Sequence, residues 1–443
     1  MTNNSPIMRI LRIILVVILL VSSGMRVFPN MSDQALHDDE YEYLERGSIF
    51  YSKLFIENDL SDPVWRSYHS MDQPLLGMNL YGAFTHLTLG ISPMKAMELL
   101  EYQPNTEIGY FSSVNWISEI NSTQLQSKYI PEKYNSAYAY IVHNRYLAAC
   151  FGIATVLGLF LLGKTITQSY TIGLIAAFLL SQNQLFINES RHAMADISFL
   201  FTIIYGLYFI YKLTQNPRSL RPTWKAIIIG IWIGLATSVK LNGLMLWFIL
   251  CGWLLFQSVV ILRKNSDYRR VIVTSVIYIL TVTFTAFITF TILNPYTWAD
   301  PLTGILDMFR WRSEISQTMM DGLKPRDINK PLYTLSARYW AMIEYPITMF
   351  NMGRAFSFSY TVDIFLLISG LYVIAKQNVI AKCNQWKYLL FVTILLFLIM
   401  GSYIKITFDR YFMPILPIVA IVESVGIFHI FSMLGLTNKK TQS

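Results

Sequence analysis

The sequence predicts an all-α polytopic membrane protein with about ten transmembrane helices. Three observations carry this. Hydrophobic residues make up 54% of the 443 positions and charged residues 14%, whereas soluble domains carry roughly a quarter charged residues. Ten mostly apolar runs approach the length of about 20 residues that crosses a bilayer. Basic residues collect in alternate gaps between those runs, as cytoplasmic loops do. This composition excludes disordered and fibrous chains, and it leaves too little charge to coat a soluble enzyme. Three cysteines form no CxxC pair and no metal-ligand spacing. The net charge of +8 follows from basic loops and calls for no nucleic-acid partner.

The first run, Ile10 to Val27, follows Arg9 and Arg12 and reads as a retained signal anchor; Ser22-Ser23-Gly24 is the only hint of cleavage. A long polar stretch follows, from about Phe28 to Asn144. Further runs lie near 145–163, 170–188, 194–211, 225–241, 243–262, 271–293, 361–377, 387–404 and 411–432. With the N-terminus inside, the inner loops hold Lys164, then Lys212, Arg218, Arg221 and Lys225, then Arg263, Lys264, Arg269 and Arg270, then Lys376, Lys382 and Lys387, and finally Lys439 and Lys440. Asp267 is the one acid among them, so both termini are expected in the cytoplasm. Leu75 to Ser92 is uncharged but short, and it contains Asn79 and His86. It is expected to be an interfacial or re-entrant helix, because a further crossing would reverse every later loop.

Four polar clusters need explaining. The first is His37-Asp38-Asp39-Glu40-Tyr41-Glu42-Tyr43, close to the first span. Adjacent carboxylates repel unless they meet a cation, solvent or a substrate, and one held at the membrane face can act as a general base. A solvated acidic helix start would give the same residues. The second is Ser190-Arg191-His192-Ala193-Met194-Ala195-Asp196, on the outer turn between spans three and four. Arg191 can hold a phosphate, or it can pair with Asp196 and pin the hairpin. The third is Lys240-Leu241-Asn242-Gly243; a snorkelling lysine is its plain reading. The fourth is Asp409-Arg410-Tyr411, before Pro414 and Pro417. Asp39, Arg191, Lys240 and Arg410 all fall at the outer ends of spans in a topology fixed by other residues. One acidic cluster and three cations at one level suit a lipid phosphate with a base beside it. The sequons at Asn30 and Asn121 lie on the same side.

These blocks, in order, resemble the GT-C superfamily of lipid-phosphate-sugar glycosyltransferases, nearest to the protein O-mannosyltransferases and the lipid A aminoarabinose transferases. Asp39-Glu40 before Tyr41 matches the family's Asp-Glu pair. Asp72-Gln73-Pro74-Leu75-Leu76-Gly77-Met78 is similar to its His-Pro-Pro-Leu-Gly-Lys segment, with Gln73 and Met78 replacing the His and Lys. Arg145 to Gly163, the turn from Arg191 to Asp196, Gly234-Leu235-Ala236 with Lys240 and Gly243, Asn294 to Pro301, and Arg410 to Pro417 continue the series.

The resemblance implies one membrane-embedded glycosyltransferase domain over residues 1–443, with outer loops at 28–144 and 294–360. It implies inverting transfer of a sugar from a polyprenyl phosphate to a hydroxyl on a protein, lipid or cell-envelope glycan, without a cofactor or metal. Asp39 would be the base, with Asp38 and Glu40 as alternatives, and Glu40 would otherwise position the acceptor or the base. Arg191, Lys240 and Arg410 would hold the donor phosphate, while His192, Asp196, Asp72 and Tyr41 would orient groups or bind substrate. The site would face outwards, from the plasma membrane in a bacterium. Two other classes fit the hydropathy. A transporter or flippase should carry polar residues in mid-span, where only Glu423 lies. An oligosaccharyltransferase-like enzyme would place a divalent cation on the acidic cluster.

Overall fold

The computed structural model describes residues 6–34, 37–66, 68–98, 135–215, 224–262, 268–323, 330–349, 360–380 and 384–435. The sequon at Asn121 lies outside them, as do Arg218, Arg221, Arg263, Lys264, Asp267, Lys382, Lys439 and Lys440. The side chains of Asp38, Tyr41 and Arg270 are also outside the described set.

Each of the ten apolar runs contains a helix. In chain order the helices are α1 (Pro6–Val27), α2 (Asp38–Tyr51), α3 (Tyr68–Asp72), α4 (Leu76–Leu89), α5 (Pro93–Glu98), α6 (Asn135–Thr167), α7 (Tyr170–Gln182), α8 (Gln184–Glu189), α9 (Ala195–Thr214), α10 (Trp224–Val239), α11 (Met245–Leu262), α12 (Tyr268–Leu293), α13 (Pro301–Gly322), α14 (Leu335–Met349), α15 (Tyr360–Ile380), α16 (Asn384–Tyr403) and α17 (Leu416–Met433). Among the described residues seven helices are long and apolar enough to cross a membrane, and Tyr170–Gln182 and Trp224–Val239 are shorter apolar helices. The third run is interrupted rather than continuous. The Asn183 side chain accepts from Phe186 N, which caps α8 and stops α7 one residue earlier.

α9 and α17 are the most buried of these candidate spans and α1 the least, so the apolar flanks of α1 face lipid. The 33-residue α6 packs on α7 and α9, α17 packs on α15 and α7, and α10 packs on α12. The segment from Leu75 forms the 14-residue α4, which is closed by Gly90 at φ +65. Its length of about 21 Å falls short of the hydrocarbon thickness. α4 lies against α2, α6, α9 and α10 with one face buried. No strand forms among the described residues. A single antiparallel bridge, Pro331 to Ile406, ties the loop before α14 to the segment between α16 and α17.

The two ends of the bundle differ. At one end the Tyr170 hydroxyl donates to Arg12 O, and the Arg12 guanidinium lies 5.5 Å above the Tyr170 ring with Lys164 5.8 Å away. The other end gathers the last turns of α1, α8 and α10, the first turns of α9 and α17, and the whole of α2 to α4. All four polar clusters lie there.

Candidate active site

The acidic cluster is first of all a helix start. His37 has extended backbone and caps α2. Its Nδ1 accepts from Asp39 N at 3.1 Å, and the Glu40 carboxylate accepts from His37 N at 3.2 Å. This reciprocal capping fixes the first turn, where negative side chains also suit the helix dipole.

Glu40 is fully buried and fully committed. Arg145 Nε and Nη2 donate to it at 2.8 and 2.7 Å, and Ala193 N donates at 2.8 Å. Arg145, equally buried, also donates to Met31 O at 2.7 Å and Gln34 O at 3.1 Å. The pair therefore bolts α2 to α6 and to the turn before α9. This differs from the expectation that Glu40 meets substrate, since its oxygens are already used.

Asp39 points another way. Its carboxylate is 34% exposed and sits 2.6 Å from Arg410 Nη1. Arg410 also lies 3.4 Å from His37 Nε2. Asp196, in the first turn of α9, is buried and meets Lys240 Nζ at 2.6 Å. Lys240 stands between α10 and a tight turn in which a Cβ on Gly243 would come within 2.2 Å of the Ala236 backbone. Asp72 bridges two arginines, Arg46 and Arg312, each at 3.1 Å. Burial disfavours charge on Arg312, but Asp72, Tyr411 and Tyr43 together outweigh it and move the pKa upwards.

These groups line or adjoin one cavity of about 440 Å³. Lys240, Arg312, Lys405 and Arg410 bring four cations to its lining, against Asp72 and Asp196. Phe199, Met245, Phe248, Phe309, Met319 and Ile399 give it an apolar wall, and Phe248 and Met319 are themselves largely exposed on the bundle surface. The cavity thus joins a cationic head to an apolar flank.

Of the residues expected from sequence, Asp72, Asp196, Lys240 and Arg410 line this cavity, and Asp39 reaches it through Arg410. Arg191 does not line it. Its guanidinium donates to Arg26 O at 2.5 Å and Val27 O at 3.2 Å, closing the C-terminus of α1. Nor does Asp196 hold Arg191, because Lys240 takes that carboxylate. His192 is buried behind the cluster, its ring edge-on to His37 at 5.8 Å. Gln73, which replaces a histidine of the family pattern, accepts from the Tyr43 hydroxyl and lines the cavity. Sequence reasoning missed Arg312 and Lys405. The one available signal was for Arg312, which follows Phe309 by three residues on the face of α13 that lines the cavity.

Among the described residues no group of three or more His, Cys, Asp or Glu side chains is arranged to hold a metal ion. Asp39, Glu40, Asp72 and Asp196 each meet a cationic side chain.

The same arrangement of helices is found in two solved structures to which the chain is similar. Residues 114–299 match the family model described as dolichyl-phosphate-mannose-protein mannosyltransferase. The Archaeoglobus fulgidus oligosaccharyltransferase AglB, solved with an inhibitory peptide and a dolichol-phosphate, superposes with a TM-score of 0.57 at 14% identity, covering 98% of this chain and 52% of that one. ArnT from Cupriavidus metallidurans, bound to undecaprenyl phosphate, gives 0.52 at 11% identity, covering 96% and 62%. At these identities the likeness is one of fold, and the chain spans about half the length of the oligosaccharyltransferase it matches. No curated protein sequence matches the chain.

Proposed function

We propose that this protein is an integral membrane glycosyltransferase that moves a sugar from a polyprenyl-phosphate donor to a hydroxyl acceptor on the non-cytoplasmic side. The observation that carries the reading is the cavity itself: four cations beside an apolar wall open to the bundle surface, with the Asp39 carboxylate on Arg410. A polyprenyl phosphate has that chemistry, an anionic head on an apolar tail. The dolichol-phosphate and undecaprenyl phosphate of the two fold neighbours support the donor class, and the mannosyltransferase family model supports sugar transfer.

In the ligand-free protein Asp39 is masked by Arg410. An arriving phosphate competes for that guanidinium and frees the carboxylate to act as base. The acceptor oxygen attacks the anomeric carbon from the face opposite the phosphate, and its proton passes to Asp39. The anomeric carbon–oxygen bond breaks, and its electron pair leaves on the polyprenyl phosphate. The configuration inverts. Lys240, Arg312, Lys405 and Arg410 stabilise the growing phosphate charge with donors already in place. Asp196 and Asp72 hold two of those cations at their posts. Arg12 and Lys164 lie at the opposite end of the bundle and, with the basic inner loops of the sequence, they support an outward-facing site. No cofactor enters the scheme.

The test is transfer in proteoliposomes from a panel of radiolabelled polyprenyl-phosphate sugars, with and without a chelator. The proposal expects donor-dependent transfer that survives chelation. Transfer lost on chelation and restored by a divalent cation would replace this scheme with a metal-dependent one.

A further inference from the structure

Glu189 takes no part in this scheme, yet it sits among its charges. It ends α8, is 8% exposed, and its Oε2 has no hydrogen-bond partner among the described residues. Buried polar atoms without partners are few in folded proteins, and each needs a reason. The elements packed on α8 account for its surroundings. α7 brings no charged side chain. α1 brings Arg26, which is exposed, with Arg9 and Arg12 towards its other end. α9 brings Asp196, and the tight turn Asp409–Ile415 brings Asp409 and Arg410. Lys240 and Glu40 also act on Glu189, and the buried His192 donates its backbone N–H to Glu189 O. The two cations that act on Glu189 have prior engagements: Lys240 with Asp196 and Arg410 with Asp39. A carboxylate at Glu189 would be a further acid competing for them.

We propose that Glu189 is a positioning residue that keeps its proton in the working enzyme, and so adds no further competitor for Arg410 and Lys240 when a lipid phosphate arrives. Burial, and then the Asp196 carboxylate, push the Glu189 pKa up to about 8 against the pull of Arg410 and Lys240. Once ionised, Glu189 holds Arg410 back and adds negative charge beside the phosphate position. Donor affinity then falls as pH rises through that range. The inference rests on the lipid-phosphate reading above and adds a control on it.

The experiment measures binding of a polyprenyl methyl phosphate to the full chain in detergent, from pH 7 to 9.5. This phosphodiester keeps one charge throughout. The wild type is expected to bind about tenfold more weakly at the alkaline end, as one added charge nearby would cause. Glu189→Gln, which keeps the shape without the titration, should change less than about twofold over the same range. An alkaline loss that persists in Glu189→Gln, or weaker binding by this variant already at pH 7, overturns the proposal and leaves the donor reading intact. No wild-type binding at any pH overturns both.

A second measurement needs no ligand. A carboxyl whose pKa is raised on folding contributes most below its unfolded value and loses that contribution as pH rises through the folded value. The wild-type Tm should therefore fall more than that of Glu189→Gln between about pH 5 and pH 9. Equal falls in the two proteins contradict a buried proton at Glu189.

Discussion

Glu40 and Asp39 are neighbours with opposite fates, and the difference is the partner each one meets. Glu40 faces Arg145 inside the protein, and removing one member of such a pair leaves a buried, uncompensated charge. Arg145→Met is expected to cost about 3–5 kcal/mol of stability, read as a large drop in Tm in detergent. A variant that keeps the wild-type Tm would contradict the bolting role. Arg191 makes a sharper contrast, because the sequence placed it with the phosphate-binding cations. Its acceptors are carbonyls of α1, so Arg191→Gln should leave the donor KM within about twofold while lowering stability by about 1.5–3 kcal/mol. Lys240→Gln should raise that KM by tenfold or so, as loss of a charge-assisted contact does. Equal effects of both variants on KM would return Arg191 to the cavity.

α2 owes its position to a crossing with α4 so close that no side chain fits between them. A Cβ on Gly47 would lie 2.4 Å from Met78 O, and one on Gly82 would lie 2.5 Å from Gly47 O. Gly82→Ala should destabilise by about 1–3 kcal/mol through overpacking, and transfer should fall further because α2 carries Asp39. Wild-type transfer with the expected Tm loss would show that the crossing does not set the base. Elements were the most legible level of this sequence. Apolar runs of spanning length are local signals, so those helices could be read directly, whereas the break at Asn183 was missed. Asp39, Lys240, Asp196 and Arg410 were legible for a similar reason: each is an ionisable residue at the end of an apolar run. Arg145 with Glu40, and Arg312 with Asp72, were not, because those partners are brought together from distant parts of the chain. The Arg191 contact left no trace either, since backbone carbonyls have no signature in the sequence.

Across the whole molecule the chemistry gathers at one end of the bundle, the end expected outside. A cysteine at Thr334 sits near the site, and one at Gln168 sits in the loop at the other end; both positions are exposed. In intact cells a membrane-impermeant maleimide should label Thr334→Cys directly and Gln168→Cys only after permeabilisation. The reverse pattern would turn the site to the cytoplasm. The central claim, that Asp39 takes the acceptor proton while the cationic cavity holds the donor phosphate, has one direct test. Sugar transfer by Asp39→Asn should drop by about 10²–10⁴-fold, the usual worth of a positioned base, with polyprenyl-phosphate binding and Tm retained. Transfer by Asp39→Asn at the wild-type rate would contradict the account.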